Sequence, residues 1–186
     1  MNDIKPIQTE YKGYKFRSRL EARWAVFFDA CGVDWEYEPE GYDLGEGVYY
    51  LPDFLLHDVK LRHNSCADLY IEVKGQMNKE DRLKIQSFGK PFNRPLLVVG
   101  NIPFGDDAWT RANNAFEVWD KDSLFYSFEL IDDDYFGAFP GIDEHGRFSL
   151  FGADSNYLNE MNSKKTEEAY KLAQQARFEH GESPVF

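Results

Sequence analysis

The sequence predicts an α/β fold, a central mixed sheet flanked by helices, and three stretches within residues 1–100 carry that expectation. Ser18 to Cys31 repeats apolar residues at helical spacing, and Leu69 to Lys74 alternates with the period of a strand. Pro95 to Val99 is a short, continuous apolar run of the kind buried on both faces of a sheet. At 186 residues the chain is the length of one domain with an extension. Leu, Ile, Val and Phe make up about a quarter of it, above the roughly one-fifth level below which chains stay disordered.

Taken in order, Tyr11 to Phe16 reads as an extended lead-in. Ser18 opens the first helix and Gly32 stops it. At about 100° per residue, Leu20, Trp24, Phe27, Phe28 and Cys31 share one stripe, with Glu21 at its edge beside Phe28. Asp34 to Glu38 alternates and predicts a strand, and the acid- and glycine-rich Pro39 to Gly47 predicts a loop. Val48 to Leu56 predicts a second strand. Pro52 lies inside it and cannot donate to a ladder, so this strand is at an edge or bends there. His57 to Asp68 predicts a polar connection, and Leu69 to Lys74 the third strand, ended by Gly75. Asn78 to about Phe88 predicts a weakly amphipathic helix and Pro95 to Val99 a buried strand. The order is helix, three strands, helix, strand. Beyond Gly100, Phe116 to Trp119, Leu124 to Ile131 and Arg147 to Phe151 predict strands or aromatic-rich loops. Ser163 to about His180 predicts a helix, with Ala169, Leu172, Ala173 and Ala176 at helical spacing. Residues 1–100 form the predicted core. Residues 101–186 are an acidic elaboration of the same domain or a subdomain of their own.

Charge separates the two parts. The chain carries a net charge of −12, which argues against a nonspecific, basic nucleic-acid coat. Residues 1–100 hold 14 basic and 16 acidic side chains, and residues 101–186 hold 7 and 17. The N-terminal part keeps a local basic cluster of Lys12, Lys15, Arg17, Arg19 and Arg23. No apolar run reaches the ~18 residues of a membrane span, and the first residues show no apolar stretch of signal-peptide kind. Two cysteines, Cys31 and Cys66, make neither a disulfide framework nor a C-x-x-C knuckle, so a cytoplasmic, reducing compartment is expected.

The chemistry lies on the second and third predicted strands. Alternate side chains of a strand share a face, so Leu69, Ile71 and Val73 point into a core while Tyr70, Glu72 and Lys74 point the other way. Asp53 follows Pro52, where the second strand bends. If the two strands pair, Asp53 sits beside Glu72. Clustered carboxylates repel unless a cation joins them, and a few carboxylate oxygens completed by water and phosphate suit Mg²⁺, or Mn²⁺. Such an ion can run phosphodiester hydrolysis. Lys74 would orient the attacking water or offset charge growing on the phosphate. Glu21, at the rim of the first helix, is the candidate third carboxylate.

Pro52-Asp53 followed, after eighteen intervening residues, by Glu72-Val73-Lys74 resembles the PD-(D/E)XK motif, set after a helix bearing Glu21 and before a helix and a strand. Phe16-Arg17-Ser18-Arg19-Leu20-Glu21-Ala22-Arg23-Trp24-Ala25, with Tyr37-Glu38-Pro39, is similar to small nuclease-like proteins of phages and other mobile elements. The resemblance covers about residues 12–100. It implies a PD-(D/E)XK nuclease-like core of order αβββαβ and a Mg²⁺-dependent endodeoxyribonuclease. Asp53, Glu72 and Glu21 would then be metal ligands, Lys74 the catalytic lysine, and Gln86, in the following helix, a further residue at the site.

Other readings apply to the same residues. Ser18-Arg19-Leu20-Glu21 fits a capping box, in which Glu21 bonds back to the cap's own N–H, and that role competes with metal binding for one carboxylate. Asp53 after Pro52 also suits a turn, and Glu72 and Lys74 also suit a solvated strand face. Arg17, Arg19 and Arg23, and Lys79, Arg82 and Gln86 on the second helix, are either nucleic-acid contacts or solvated helix faces. His57, His63 and Cys66 lack a fourth well-spaced zinc ligand. His145 before Gly146 suits a turn, as do Asp132 to Asp134. Trp109, Tyr135 and Phe136 suit core or interface better than base stacking. DNA is the expected partner, and cutting of both strands would favour a homodimer. Two alternatives stand beside the nuclease: an acidic surface that mimics nucleic acid to occupy a basic protein, and a nuclease subunit that cuts only when a partner positions it.

Overall fold

The computed structural model describes residues 6–60, 66–76, 78–92, 95–102, 138–152 and 161–178. Their elements, in chain order, are β1 (Thr9–Tyr11), β2 (Tyr14–Phe16), α1 (Arg19–Cys31), β3 (Trp35–Tyr37), β4 (Tyr42–Asp43) and β5 (Tyr49–Tyr50). There follow β6 (Phe54–Lys60), β7 (Cys66–Val73), α2 (Lys79–Phe92), β8 (Leu96–Val99), β9 (Ala138–Ile142), β10 (Phe148–Gly152) and α3 (Ser163–Gln175). The architecture is α/β, with a mixed sheet and helices on both faces. The sheet runs β8-β7-β6-β10-β9, with β3 also on β6. The pairs β6/β7, β3/β6 and β9/β10 are antiparallel, while β7/β8 and β6/β10 are parallel. Both β3 and β10 use the same edge of β6: β3 pairs with Phe54, Leu55 and Leu56, and β10 meets Lys60.

Each face of the sheet has its own apolar layer. On one side Leu69, Ile71, Val73, Leu97 and Val99 pack with Phe54 and Leu56 against Trp24, Phe27 and Phe28 of α1 and Tyr170 and Ala173 of α3. On the other, Leu96 and Val98 pack with Ile85 and Phe88 of α2 and with Tyr50. Burying aromatic rings in numbers makes the first layer costly to disturb, since truncating one to alanine costs about 3–5 kcal/mol. The rings of Phe27 and Tyr170 stack at 4.3 Å, and the Tyr170 hydroxyl donates to the Pro140 carbonyl at 2.6 Å, joining α1, α3 and β9.

The N-terminal hairpin is pinned to α1 through one carboxylate. Asp29 accepts from the Tyr11 hydroxyl at 2.7 Å and from the Trp35 indole at 3.2 Å, and it pairs with Lys12 at 2.8 Å. This fixes the chain that leads into Arg17 and Ser18.

The structure corrects several sequence expectations. Tyr11 to Phe16 is not a plain extended lead-in: β1 and β2 form a hairpin closed by Lys12 and Gly13, both at positive φ. Two such residues give the twist of a type I′ turn, but lysine is a rare first residue there, so the signal was faint. The strand expected over Val48 to Leu56 is two strands. Proline at 52 ends pairing of β5 with β4, and β6 starts only at Phe54. The polar connection expected over His57 to Asp68 is strand at both ends, because β6 and β7 stay paired out to Lys60 and Cys66. A bulge between Leu56 and Val59, with Asp58 at positive φ, resets the alternation and hides the strand from a period-two reading. The face of β7 read as solvated is covered by α2 and Tyr50, so Glu72 is buried. Helix α2 runs past Gly89 to Phe92. Among the expected features past Gly100, Phe116 to Trp119, Leu124 to Ile131, Trp109, Asp132 to Asp134, Tyr135 and Phe136 lie outside the described residues, as does His63. No helix among the described residues is long and apolar enough to cross a membrane.

The caps of α1 follow the sequence. Ser18 accepts from the Glu21 N–H, and Gly32 ends the helix in the left-handed region at φ 68°. A side chain at position 32 would touch nothing within 4 Å, so its whole effect is conformational. Gly32→Ala is expected to lower unfolding stability by about 1 kcal/mol, read as a lower urea midpoint at unchanged slope.

Candidate active site

The site grows from the antiparallel register of β6 and β7. Phe54 lies opposite Ile71 in the last pair of the ladder, which brings the preceding Asp53 close to Glu72, the residue after Ile71. The Asp53 N–H donates to the Ile71 carbonyl at 3.1 Å, and the Val73 N–H donates back to Asp53 Oδ2 at 2.7 Å. Pro52 prevents further ladder pairing, so the aspartate side chain turns across the end of β6 toward β7. Lys74 follows Val73 with its N–H bonded to the Val99 carbonyl at 2.8 Å, which aligns it on the same side as Glu72.

Each carboxylate oxygen here has a partner. Arg17 Nη2 donates to Asp53 Oδ1 at 2.6 Å while its Nε pairs with Glu38 at 2.8 Å. The Tyr50 hydroxyl donates to Glu72 Oε2 at 2.7 Å, and Lys74 Nζ meets Glu72 Oε1 at 2.8 Å and Asp81 at 3.6 Å. Asp81 is in turn held by Asn78 in a reciprocal cap at the start of α2. Glu38 sits at positive φ, an unfavourable state for a side chain of its size, and its N–H donates to the Asp53 carbonyl at 2.9 Å.

Glu21 is committed to the start of α1. It accepts from the Ser18 hydroxyl at 2.7 Å, the Tyr37 hydroxyl at 2.6 Å and the Arg17 N–H at 3.1 Å. This is the capping role with one change: the acid reaches the N–H one residue before the cap. Glu21 acts on Asp53 by charge through space, with no hydrogen bond between them among the described contacts.

Electrostatics mark Asp53 as the tense member. Burial first, then the Glu72 charge and the Glu21 charge, push its pKa up to about 8. The Val73 N–H and Arg17 pull the other way without prevailing. Arg17 is 54% exposed, so water screens its charge, whereas the Asp53 side chain is 6% exposed. Burial works against the charge on Lys74, but Glu72, Asp81 and Asp53 together raise its pKa. The Tyr50 phenol is raised as well, by burial and then by Glu72. Lys74 therefore stays an ammonium and Tyr50 a hydrogen-bond donor.

Of the residues singled out by sequence, the structure brings Asp53, Glu72, Lys74 and Arg17 together, with Glu21 one shell of contacts away. Arg19 and Arg23 are half-buried, each with its Nε sealed from solvent. Lys79 is exposed at the first turn of α2. Arg82 and Gln86 belong to α2, but their side chains lie outside the described residues. His57 bridges Glu36 at 2.9 Å and Asp68 at 3.4 Å on the sheet surface, away from these groups. His145 is in the β9–β10 turn. Sequence reasoning missed Tyr37, Glu38, Tyr50 and Asp81. Only Asp81 left a readable signal, the N-x-x-D cap just after the strand that ends at Lys74. Among the described residues no three His, Cys, Asp or Glu side chains form a ready metal cage. The donors that meet are two buried carboxylates with a lysine and an arginine. Two carboxylates suffice for Mg²⁺, which keeps most of its shell as water and phosphate.

A raised carboxyl pKa means that the folded protein holds a proton that the unfolded chain has lost. Asp53's contribution is therefore complete below its ordinary 3.8 and fades as pH climbs to about 8. In metal-free buffer, Asp53→Asn should gain stability relative to the native protein as pH rises across that window. The limit is about 1.4 kcal/mol per pH unit. Parallel urea curves at several pH values measure it, and a pH-independent difference would contradict the assignment.

Among families of known proteins none has a model that matches this chain, and no curated protein matches it either.

Proposed function

We propose that this protein is a metal-dependent endodeoxyribonuclease with a PD-(D/E)XK core. The observation that carries the reading is the pairing of β6 with β7, which buries Asp53 and Glu72 side by side and sets Lys74 against Glu72. The succession α1, β3, β6, β7, α2, β8 supports it, since it is the helix, three strands, helix, strand order of the resemblance, with the β4–β5 hairpin inserted.

The donor chemistry fits a hard divalent cation. Asp53 and Glu72 offer buried oxygens that repel each other, and a cation between them would offset the burial and the repulsion that together raise the Asp53 pKa. Held by these two groups, Mg²⁺ or Mn²⁺ would supply Lewis acidity to a phosphodiester oxygen and to the attacking water. The chain's own residues do the rest. Lys74, kept charged by Glu72 and Asp81, orients the water or balances charge on the phosphoryl oxygens as the P–O bond breaks. Tyr50 holds the Glu72 carboxylate in one orientation from the opposite side. Val73 N–H does the same for Asp53, so both carboxylates are fixed before substrate arrives. Glu21 is a helix cap in this reading, and Ser18 and Tyr37 saturate it. Lys79 and Arg17 are both exposed to solvent, as cations that meet a DNA backbone would be.

The deciding experiment incubates the protein with supercoiled plasmid, single-stranded DNA and a four-way junction in Mg²⁺ or Mn²⁺. Cleavage is expected with the native chain, abolished by EDTA and lowered at least about 100-fold in Glu72→Ala and in Lys74→Ala, the usual scale for one electrostatic or acid–base group. Full activity in both variants would end the proposal. Cleavage seen only on adding a second protein would replace it with the partner-dependent form.

A further inference from the structure

Arg17 has two descriptions that conflict. By sequence it is either a phosphate contact or part of a solvated helix face. In the structure its guanidinium is already used, donating to Asp53 Oδ1 at 2.6 Å and to Glu38 at 2.8 Å. While Nη2 holds Asp53 Oδ1, that oxygen is closed to a metal ion.

The backbone and side chain of Arg17 differ in how firmly they are held. Its N–H donates to Glu21 and to the Tyr37 hydroxyl, both at 3.1 Å, on the rigid entry to α1. Its side chain is 54% exposed and reaches inward only through the guanidinium. Asp53 is nearly sealed, and Oδ2 is taken by the Val73 N–H. Oδ1 is thus the one Asp53 oxygen that an exchangeable group holds. A buried carboxylate beside a second one needs a positive neighbour, and Arg17 is the cation that provides it.

Resting on the metal-dependent reading above, we propose that Arg17 is the resident cation of the site, displaced from Asp53 Oδ1 when a divalent ion binds. Displacement frees the guanidinium beside the ion. The Nη2 group that held Asp53 is then available to a phosphate. Ion and DNA backbone would bind cooperatively, because the first releases the group that the second requires. Glu38, paired with Arg17 Nε on the outer side, keeps the released side chain at the mouth of the site.

The test reads binding and conformation, not turnover. Calorimetric titration with Mn²⁺ at pH 8 compares the native protein with Arg17→Met, which keeps the length and removes the charge. Losing an internal competitor worth about one partly buried ion pair should tighten Mn²⁺ binding by roughly tenfold. In the native protein, the Nη–H resonances of Arg17, identified by their loss in Arg17→Met, should move and exchange faster with water as diamagnetic Mg²⁺ saturates. That second measurement needs no folded variant beyond assignment, and it separates displacement from simple charge repulsion. Native protein that binds the ion with the Arg17 resonances unchanged, or an Arg17→Met affinity no tighter than native, overturns this inference and leaves the metal-dependent reading intact. No ion binding by either protein overturns both.

Discussion

Two carboxylates buried side by side, Asp53 and Glu72, are the constraint on which the surrounding structure depends. Strand pairing puts them there, and neither can stay charged in that place without help. The help comes from every direction. Arg17 and the Val73 N–H serve Asp53, while Tyr50 and Lys74 serve Glu72. Those partners arrive from the segment after β2, from β5, and from the end of β7. The small hairpins that decorate the sheet are therefore not incidental. The β1–β2 hairpin, pinned by Asp29, delivers Arg17 to one carboxylate. The β4–β5 hairpin delivers Tyr50 to the other.

The same constraint explains the shape of the helices' entry points. Helix α1 begins at Ser18 directly after Arg17, and its first-turn Glu21 accepts from Ser18, Tyr37 and the Arg17 N–H. That carboxylate welds the start of α1 to β3 and fixes the stem from which the arginine projects. Helix α2 begins five residues after Lys74 and points Asp81 back at it, so Lys74 lies between two acids. An acid in the first helical turn is favourable in its own right, and here the same acid also steadies the lysine. One set of local capping interactions thus orients both cations of the site.

Much of this was legible. The α1 boundaries follow from Ser18 and Gly32, and the apolar stripe of Trp24, Phe27 and Phe28 is the face that meets the sheet. The proximity of Asp53 and Glu72 follows from alternation and one proline. What sequence could not carry was anything set by long-range packing. Glu72 lies on a face that reads as solvated because the cover, α2 and Tyr50, comes from elsewhere in the chain. Tyr50 looks like any strand aromatic, and Tyr37 like any core ring, until their hydroxyls are seen on carboxylates. The bulge at Asp58 broke the period-two pattern and turned half a strand into an apparent loop. Arg17 was visible as a charge, but its partner, thirty-six residues away, was not.

A network of this kind is a poor way to hold a protein together. Breaking one partner of a buried ion pair is severe, about 3–5 kcal/mol, yet replacing the whole set by well-packed apolar side chains is often neutral or stabilising. Asp53 shows the tension directly, since burial and neighbouring acids hold its pKa near 8 despite an arginine at 2.6 Å. Glu38 adds backbone strain at the same place. The stabilising work is done instead by the aromatic layer under α1 and α3, which is built of buried apolar side chains. The fold thus divides its labour between a core that holds one face of the sheet and an electrostatically unbalanced end on the other. That imbalance is what a binding site for a doubly charged cation requires before the cation arrives. Under the proposed function, the energy stored in crowding the carboxylates is returned when the ion binds, which makes Asp53 and Glu72 the first groups to mutate and Arg17 the first to watch.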